Sequence, residues 1–227
     1  MKFFPPVLFA LLLSLVLGSC TVPPPPGAST PPRPSTVIVV HGLYAGSGHV
    51  RPLQEALTAR GFHCLTPNLQ PANGSVSIET LARQLGQFVT ENTAAEDPLQ
   101  FVGHSMGGLV SLQLLQDPVW ARRCRGLATI ATPHQGTVLA NLHGGPAGRE
   151  MTPGSLFLRN LHARPPSFPV TTFRSTRDLV IIPNISSELS NADNRVITAP
   201  GHNEILQQTD LHDQLAQLIR SRDQIRP

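Results

Sequence analysis

The fold of this chain is decided by one stretch, LQFVGHSMGGLV at residues 99–110. An apolar run typical of a buried strand leads into G-x-S-x-G at residues 103–107, and apolar residues then resume at helical spacing. This context predicts a sharp strand-to-helix turn in which glycines allow the two backbones to approach each other. The turn would expose the Ser105 hydroxyl at the carboxyl end of the strand, as a nucleophile requires. The alternative is an incidental turn.

Working outward from this turn, apolar runs that predict strands alternate with amphipathic patterns that predict helices. Such alternation favours an α/β fold with a mainly parallel central sheet of about six strands, flanked by helices on both faces. A segment rich in Gly, Pro and His, residues 135–168, is expected to be irregular. The predicted strands are 37–40, 63–66, 99–102, 126–131, 170–174 and 195–198, and the predicted helices are 48–60, from about 77, 106–116 and about 203–222.

A nucleophilic serine needs a base to take its proton and a third group to orient that base. After a G-x-S-x-G turn, these partners come in the chain order acid, then histidine. His202 follows the last predicted strand through Pro200 and Gly201, so it is the candidate base. Asp178 follows the penultimate strand and is the candidate acid. Asp193 is the competitor, although it precedes a strand and is therefore expected at the opposite edge of a parallel sheet.

Acyl transfer also needs hydrogen-bond donors for the negative charge that develops on the carbonyl oxygen. Leu43 follows the first predicted strand of the globular part, and Met106 follows the candidate nucleophile. Their backbone N–H groups are the candidate donors of an oxyanion hole. The alternative for the first of them is a plain strand-to-loop turn at Gly42.

Five motifs in this order together resemble the α/β-hydrolase superfamily, and within it the compact bacterial lipase and esterase group. The resemblance spans about residues 35–218 and implies serine hydrolysis by Ser105, Asp178 and His202, with a minimal cap over the site. It further implies that His41, Gly42, His104 and His134 contribute to substrate binding. The motifs are VVHGL (39–43), GHSMGG (103–108), ATPHQGT (131–137), STRDLVIIP (175–183) and PGHNEIL (200–206).

Two cysteines of the globular part have no spacing that indicates a disulfide or a metal site. The sheet order of the family that the chain resembles places two strands between those near Cys64 and Cys124. At about 4.8 Å per strand, this separation exceeds the Cα distance of about 7 Å that a disulfide can bridge. The two thiols are therefore expected to stay free.

The first nineteen residues are typical of a secretory signal, with one lysine and an apolar stretch from Val7 to Leu17. The end of this segment, Leu17-Gly18-Ser19-Cys20, resembles the lipobox of bacterial lipoproteins. The resemblance implies cleavage before Cys20 and attachment of lipid to that cysteine, so that the exported protein is anchored to a membrane and faces the periplasm or the cell surface. The alternative is an ordinary signal peptide with an incidental cysteine.

Residues 20–35 are predicted to form a tether between this anchor and the catalytic domain, residues 36–227. Proline occupies seven of the fifteen positions from Thr21 to Ser35, which excludes a helix or a central strand. In the polyproline II conformation the segment would span up to about 45 Å.

Composition and motifs narrow the function classes. The formal charge of +3 comes from scattered arginines, and aromatic residues make up only 5% of the chain, which does not favour a nucleic-acid binder. The sequence contains no H-E-x-x-H, C-x-x-C, Walker or dinucleotide motif, so no metal or cofactor is predicted.

The leading hypothesis is a lipase-like or esterase-like hydrolase that cleaves apolar acyl esters through an acyl-enzyme. The alternatives are a thioesterase, amidase or acyltransferase with the same site, and a non-catalytic binding lipoprotein that retains the fold. The sequence leaves the oligomeric state open.

Overall fold

A computed structural model describes Met1 and residues 33–224, and the globular part contains one six-stranded sheet. All neighbouring strands are parallel, in the order β2-β1-β3-β4-β5-β6. The predicted α/β class and sheet of about six strands are thus confirmed. The strands are β1 (Thr36–Val40), β2 (Cys64–Leu65), β3 (Leu99–His104), β4 (Cys124–Ile130), β5 (Val170–Ser175) and β6 (Asp193–Ile197).

Helices cover both faces of the sheet. Residues 135–168, expected to be irregular, contain two short helices, and the helix predicted from about residue 203 begins at Thr209, after a 3-10 turn at Glu204–Gln207. The other 3-10 turns are Ser47–Val50, Val138–Leu142 and Asn184–Ser187. The α-helices are α1 (Arg51–Ala59), α2 (Ile78–Asn92), α3 (Met106–Leu114), α4 (Pro118–Ala121), α5 (Pro146–Glu150), α6 (Leu156–His162) and α7 (Thr209–Gln224).

The alternating side chains of the strands divide the core into two layers. Along β1, Val37 and Val39 belong to the cluster that packs against α1 and α7, whereas Ile38 and Val40 belong to the cluster that packs against α2 and α3. Every residue of β1 is buried. Burial on both faces explains why this strand is a continuous run of β-branched residues rather than an alternating one.

Two glycines allow β3 and α3 to meet at the turn that carries Ser105. A Cβ on Gly103 would lie 2.5 Å from the Gly108 Cα, and a Cβ on Gly107 would collide with the carbonyl oxygens of Val40 and His41. Each collision is with backbone, which no side-chain rotation can relieve. The prediction that these glycines permit a close backbone approach is therefore confirmed.

Replacing Gly103 by alanine is expected to destabilise the fold strongly. Overpacking in a filled core costs about 1–3 kcal/mol, and a backbone collision lies at or beyond the upper end of that range. We expect Gly103→Ala to lower the free energy of unfolding by at least about 3 kcal/mol in urea titrations, or to prevent folding. Gly48→Ala is the matched control, since its Cβ would meet only the Arg51 guanidinium at 3.6 Å. Equal stability of the two variants would contradict this account of the turn.

Cys64 and Cys124 are both buried and free, as expected. They lie at the starts of β2 and β4, and β1 and β3 separate these strands in the sheet. Burial raises the pKa of the Cys64 thiol to about 11 and that of Cys124 to about 12, so both remain protonated. Within residues 33–224, no helix is both long and apolar enough to cross a membrane. The predicted signal, Cys20 and most of the tether lie outside the described residues.

Candidate active site

Ser105 occupies the turn between β3 and α3 in a conformation that few L-residues adopt. Its backbone has φ 54° and ψ −128°, and its N–H donates to the Ile130 carbonyl at 2.8 Å. A non-glycine residue in such a sparsely populated region costs about 1–3 kcal/mol, and functional sites are where this kind of strain usually persists. The turn places the Ser105 side chain at the carboxyl edge of the sheet, where it remains partly exposed.

Asp178 and His202 meet at the same edge of the sheet. The His202 Nδ1 lies 2.8 Å from the Asp178 Oδ2, while the other carboxylate oxygen accepts the N–H groups of Val180 at 2.8 Å and Ile181 at 2.9 Å. Burial alone would raise the pKa of Asp178, but the hydrogen bond and charge of His202, together with the two backbone donors, hold it below its usual value. The carboxylate is therefore charged and fixed, and it orients the imidazole.

Asp193, the competing candidate for the acid, does not lie near His202. Asp193 is the first residue of β6, is exposed, and pairs with Arg195 at 2.7 Å. Because all strands run parallel, the start of β6 lies at the sheet edge opposite His202, about 16 Å away for a strand of this length. Asp178, and not Asp193, is therefore the carboxylate that contacts His202 in the structure.

A pocket of about 440 Å³ brings the candidate residues together. Ser105 and His202 line it, and so do Gly42, Leu43 and His104. A Cβ on Gly42 would lie 2.8 Å from the Ser105 Cβ and 3.3 Å from its Oγ, so only glycine lets the loop after β1 approach the serine this closely.

The two candidate oxyanion donors flank the serine. Met106 is the first residue of α3, so its N–H has no acceptor within the helix. The Leu43 N–H likewise has no acceptor among the described residues, whereas the next amide, that of Tyr44, donates to the Ala72 carbonyl. Leu43 lines the pocket and Met106 directly follows Ser105, so these two N–H groups remain the candidate donors.

Comparison with known proteins agrees with this architecture. A sequence model of the alpha/beta hydrolase fold family matches residues 35–216. The chain belongs to this family. A comparison with curated protein sequences finds no match.

Several solved structures resemble this chain at low sequence identity. Aspergillus fumigatus lipase B is 18% identical with a TM-score of 0.67, over 80% of this chain and 52% of the lipase, so this chain spans about half of its length. The mature lipase BlEst2 of Bacillus licheniformis is 16% identical with a TM-score of 0.67, over 84% and 93% of the two chains. A thioesterase domain from the curacin biosynthetic pathway is 15% identical with a TM-score of 0.61, over 84% and 92%. At these identities the likeness concerns the fold.

Two histidines expected to contribute to substrate binding do not line the pocket. His41 is buried, and its Nε2 accepts the Leu69 N–H at 3.0 Å. His134 is fully buried, and its Nε2 lies 2.9 Å from the Thr129 hydroxyl. The assignment of these two residues is therefore corrected, because each ring is covered by protein and contacts protein groups. Gly42 and His104 do reach the pocket.

Most pocket residues were not predicted individually. His49 and His143 lie outside the five motifs, yet both line the pocket. The apolar residues after Asp178 were the sequence signal for two further lining residues, Val180 and Ile181. The other lining residues are Tyr44, Ala45, Pro133, Thr137, Leu139, Ala140, Met151 and Asn203.

The described part of the chain contains no cluster of three or more His, Cys, Asp or Glu side chains placed to hold a metal ion.

Buried histidines are expected to make the stability of this protein depend on pH. Burial lowers the pKa of both His104 and His134 from 6.5 to about 3. Below about pH 6.5 the unfolded chain therefore binds protons that the folded chain does not, and the free energy of unfolding falls as pH falls. The expected slope is about 1.4 kcal/mol per pH unit for each histidine down to about pH 4, below which the lost charge of Asp178 also destabilises the fold. Urea titrations across this range measure the slope.

His134→Gln provides the control, because it removes one of these titrations and lies outside the pocket. Its slope should be shallower than that of the parent by about 1.4 kcal/mol per pH unit, while the other buried histidines, including His41 and His162 whose pKa burial also lowers, keep contributing. Equal slopes would show that His134 is protonated in the folded protein.

Proposed function

We propose that this protein is a serine hydrolase that cleaves carboxylic esters. The observation that carries the proposal is the 2.8 Å hydrogen bond between Asp178 and His202, because it orients His202 in the same pocket that holds Ser105 on a strained turn. A binding protein would have no need for a histidine held by a buried carboxylate in the same pocket as a strained serine.

In the proposed mechanism the Ser105 Oγ attacks the acyl carbon of the ester. The His202 Nδ1–H donates to Asp178, so the Nε2 is free to take the serine proton. The negative charge that forms on the carbonyl oxygen is bound by the N–H groups of Leu43 and Met106. Collapse of this intermediate expels the alcohol, which takes its proton from His202, and leaves an acyl group on Ser105. Water then attacks the acyl-enzyme by the same steps and releases the acid.

The pocket lining favours an apolar, uncharged ester. No Asp, Glu, Lys or Arg is among the described residues that line it, and its apolar side includes Leu139, Met151 and Ile181. Burying a charged substrate here without a partner would be costly. Tyr44 and Val180, which line the pocket, are also exposed, and so are Val138, Leu142 and Leu179, which are adjacent in the chain to lining residues.

Substrate access is expected to be open. Residues 135–168 contain only short α-helices, α5 with five residues and α6 with seven, which are too small for a closing helical lid. Short-chain and medium-chain esters should therefore be cleaved as monomers, with a hydrolysis rate that follows saturation kinetics below their solubility limit. A rate that appears only above that limit would indicate a lid that opens at an interface.

Active-site labelling tests the proposed function directly. A fluorophosphonate probe should modify Ser105 alone, as located by mass spectrometry of the labelled peptide. Parallel assays with an oxygen ester, a thioester and an amide of the same acyl chain would separate the esterase from the thioesterase and amidase alternatives. A protein that binds acyl esters without being labelled and without turnover would be a non-catalytic binding protein.

We also propose that the protein is an exported lipoprotein, anchored to a membrane through Cys20. The support is in the sequence, where an apolar signal ends at Cys20 and a proline-rich segment follows. Cells that express the chain should incorporate radiolabelled palmitate into the protein, and the protein should sediment with membranes. Cys20→Ser should lose the label and leave the membrane fraction. Unchanged labelling of that variant would place the lipid on another residue.

A further inference from the structure

The residue before the serine contacts the loop that carries His202. His104 is the last residue of β3 and its ring is 2% exposed. Its Nε2 lies 3.1 Å from the His202 carbonyl oxygen, and the two imidazole rings pack with their centroids 4.8 Å apart. Because a carbonyl oxygen only accepts, the His104 Nε2 carries the proton and donates it.

Few hydrogen bonds hold the loop around His202. On the side before His202, the Ala199 carbonyl accepts from the hydroxyls of Ser175 and Thr176. His202 itself is held among the described residues by two hydrogen bonds, from its ring to Asp178 and to its carbonyl from His104. The first fixes the rotation of the imidazole ring, whereas the second fixes the backbone from which the ring projects.

The environment of His104 keeps its imidazole ring neutral. Burial is the main cause that lowers the pKa of His104 to about 3, and the neighbouring histidines, His202 and His49, lower it further by charge. The hydrogen bond to the His202 carbonyl and, more weakly, the charge of Asp178 act in the opposite direction without outweighing burial. His104 is therefore neutral wherever His202 can act as a base, and it adds no positive charge beside the imidazolium that forms during the reaction.

We propose that His104 is a positioning residue, which ties the turn that carries Ser105 to the loop that carries His202 through its hydrogen bond to the His202 carbonyl. The proposal rests on the proposed function, since it assigns a role relative to the reaction of Ser105. His104 is bonded covalently to Ser105, so one side chain sets the position of the base relative to the nucleophile. Misplacement of reacting groups by about 1 Å costs about 100-fold in rate, even when the mutated residue contacts no substrate.

The test compares two variants that differ in the donor. His104→Gln places an amide N–H the same number of bonds from Cβ as the imidazole Nε2, so it can donate to the same carbonyl. His104→Leu fills similar space without a donor. We expect His104→Leu to lower kcat for an ester by about 10–100-fold with KM nearly unchanged, and His104→Gln to stay within a few-fold of the parent. If His104→Leu does not fold, His104→Asn replaces it, because its shorter amide does not reach the carbonyl.

A second measurement separates this proposal from the proposed function. The rate at which a fluorophosphonate labels Ser105 should fall in the donor-free variant by the same factor as kcat, while thermal unfolding shows that the variant is folded at the assay temperature. A parent protein that is not labelled at all refutes the proposed function. A labelled parent with an equally fast donor-free variant refutes the positioning role alone. Folded Leu and Gln variants that lose activity equally also refute it, because the donor would then not be the property that matters.

Discussion

Ser105→Ala is expected to lower kcat for ester hydrolysis by about 10⁶-fold, with the fold intact. Alanine tolerates the φ of 54° no worse than serine, because both carry a Cβ, so the strained turn should be retained. The variant loses the atom that attacks the acyl carbon. What remains is the modest catalysis by the oxyanion donors and by substrate binding.

Steady-state kinetics and fluorophosphonate labelling on the same preparations measure this effect. Ser190→Ala is the matched control, because Ser190 is exposed and lies outside the pocket. It should keep the activity and labelling of the parent. Turnover by a Ser105→Ala preparation free of parent protein would remove Ser105 from the role of nucleophile.

Asp178→Asn is expected to lower kcat by about 10⁴-fold, which corresponds to about 5 kcal/mol. The asparagine oxygen can still accept the N–H groups of Val180 and Ile181, so the loop is expected to keep its shape. Its amide N–H₂ would then face the His202 Nδ1 and donate to it. The imidazole would be forced into the tautomer that carries its proton on Nε2, which cannot take a proton from Ser105.

The control for this change is Asp193→Asn, the same substitution at the carboxylate that pairs with Arg195. We expect its kcat to stay within a few-fold of the parent, because an exposed ion pair contributes at most about 1 kcal/mol and lies at the other edge of the sheet. The pH dependence of kcat for Asp178→Asn reports whether the imidazole still acts as a base. The opposite ranking of the two variants, both folded, would transfer the role of the acid to Asp193.

The parts of the fold that could be predicted are those in which a pattern extends over many residues. The β-branched run in β1 and the apolar stripe of α2, with Leu81 and Leu85, have the periods of a buried strand and of an amphipathic helix. The short helix α6 has too few turns for such a period to be visible. It begins at a Ser155 cap, whose hydroxyl accepts the Leu158 N–H, and it buries Leu158 and Leu161.

Some features of the candidate site could likewise be predicted from the sequence and others could not. Chain direction alone separated Asp178 from Asp193, because the start and the end of parallel strands lie at opposite edges. Tertiary packing decides whether the side chain of a histidine in a motif lines the pocket or is buried in the protein. His104 lines the pocket, whereas His41 and His134 are buried and do not line it. The spacing of residues along the chain contains no information on this difference.

The direction of β1 has a consequence for how the protein can be attached to a surface. Ser35, directly before β1, bonds to Asp223 at the amino edge of the sheet, while Gly42 and Leu43, after β1, line the pocket at the carboxyl edge. A strand of this length separates the two edges by about 16 Å. A protein immobilised on beads through a linker ahead of Ser35 should therefore keep an unobstructed pocket, whereas a linker grafted onto the exposed Leu142 or Leu179 would stand next to the lining residues His143 or Val180 and hinder the entry of bulky esters.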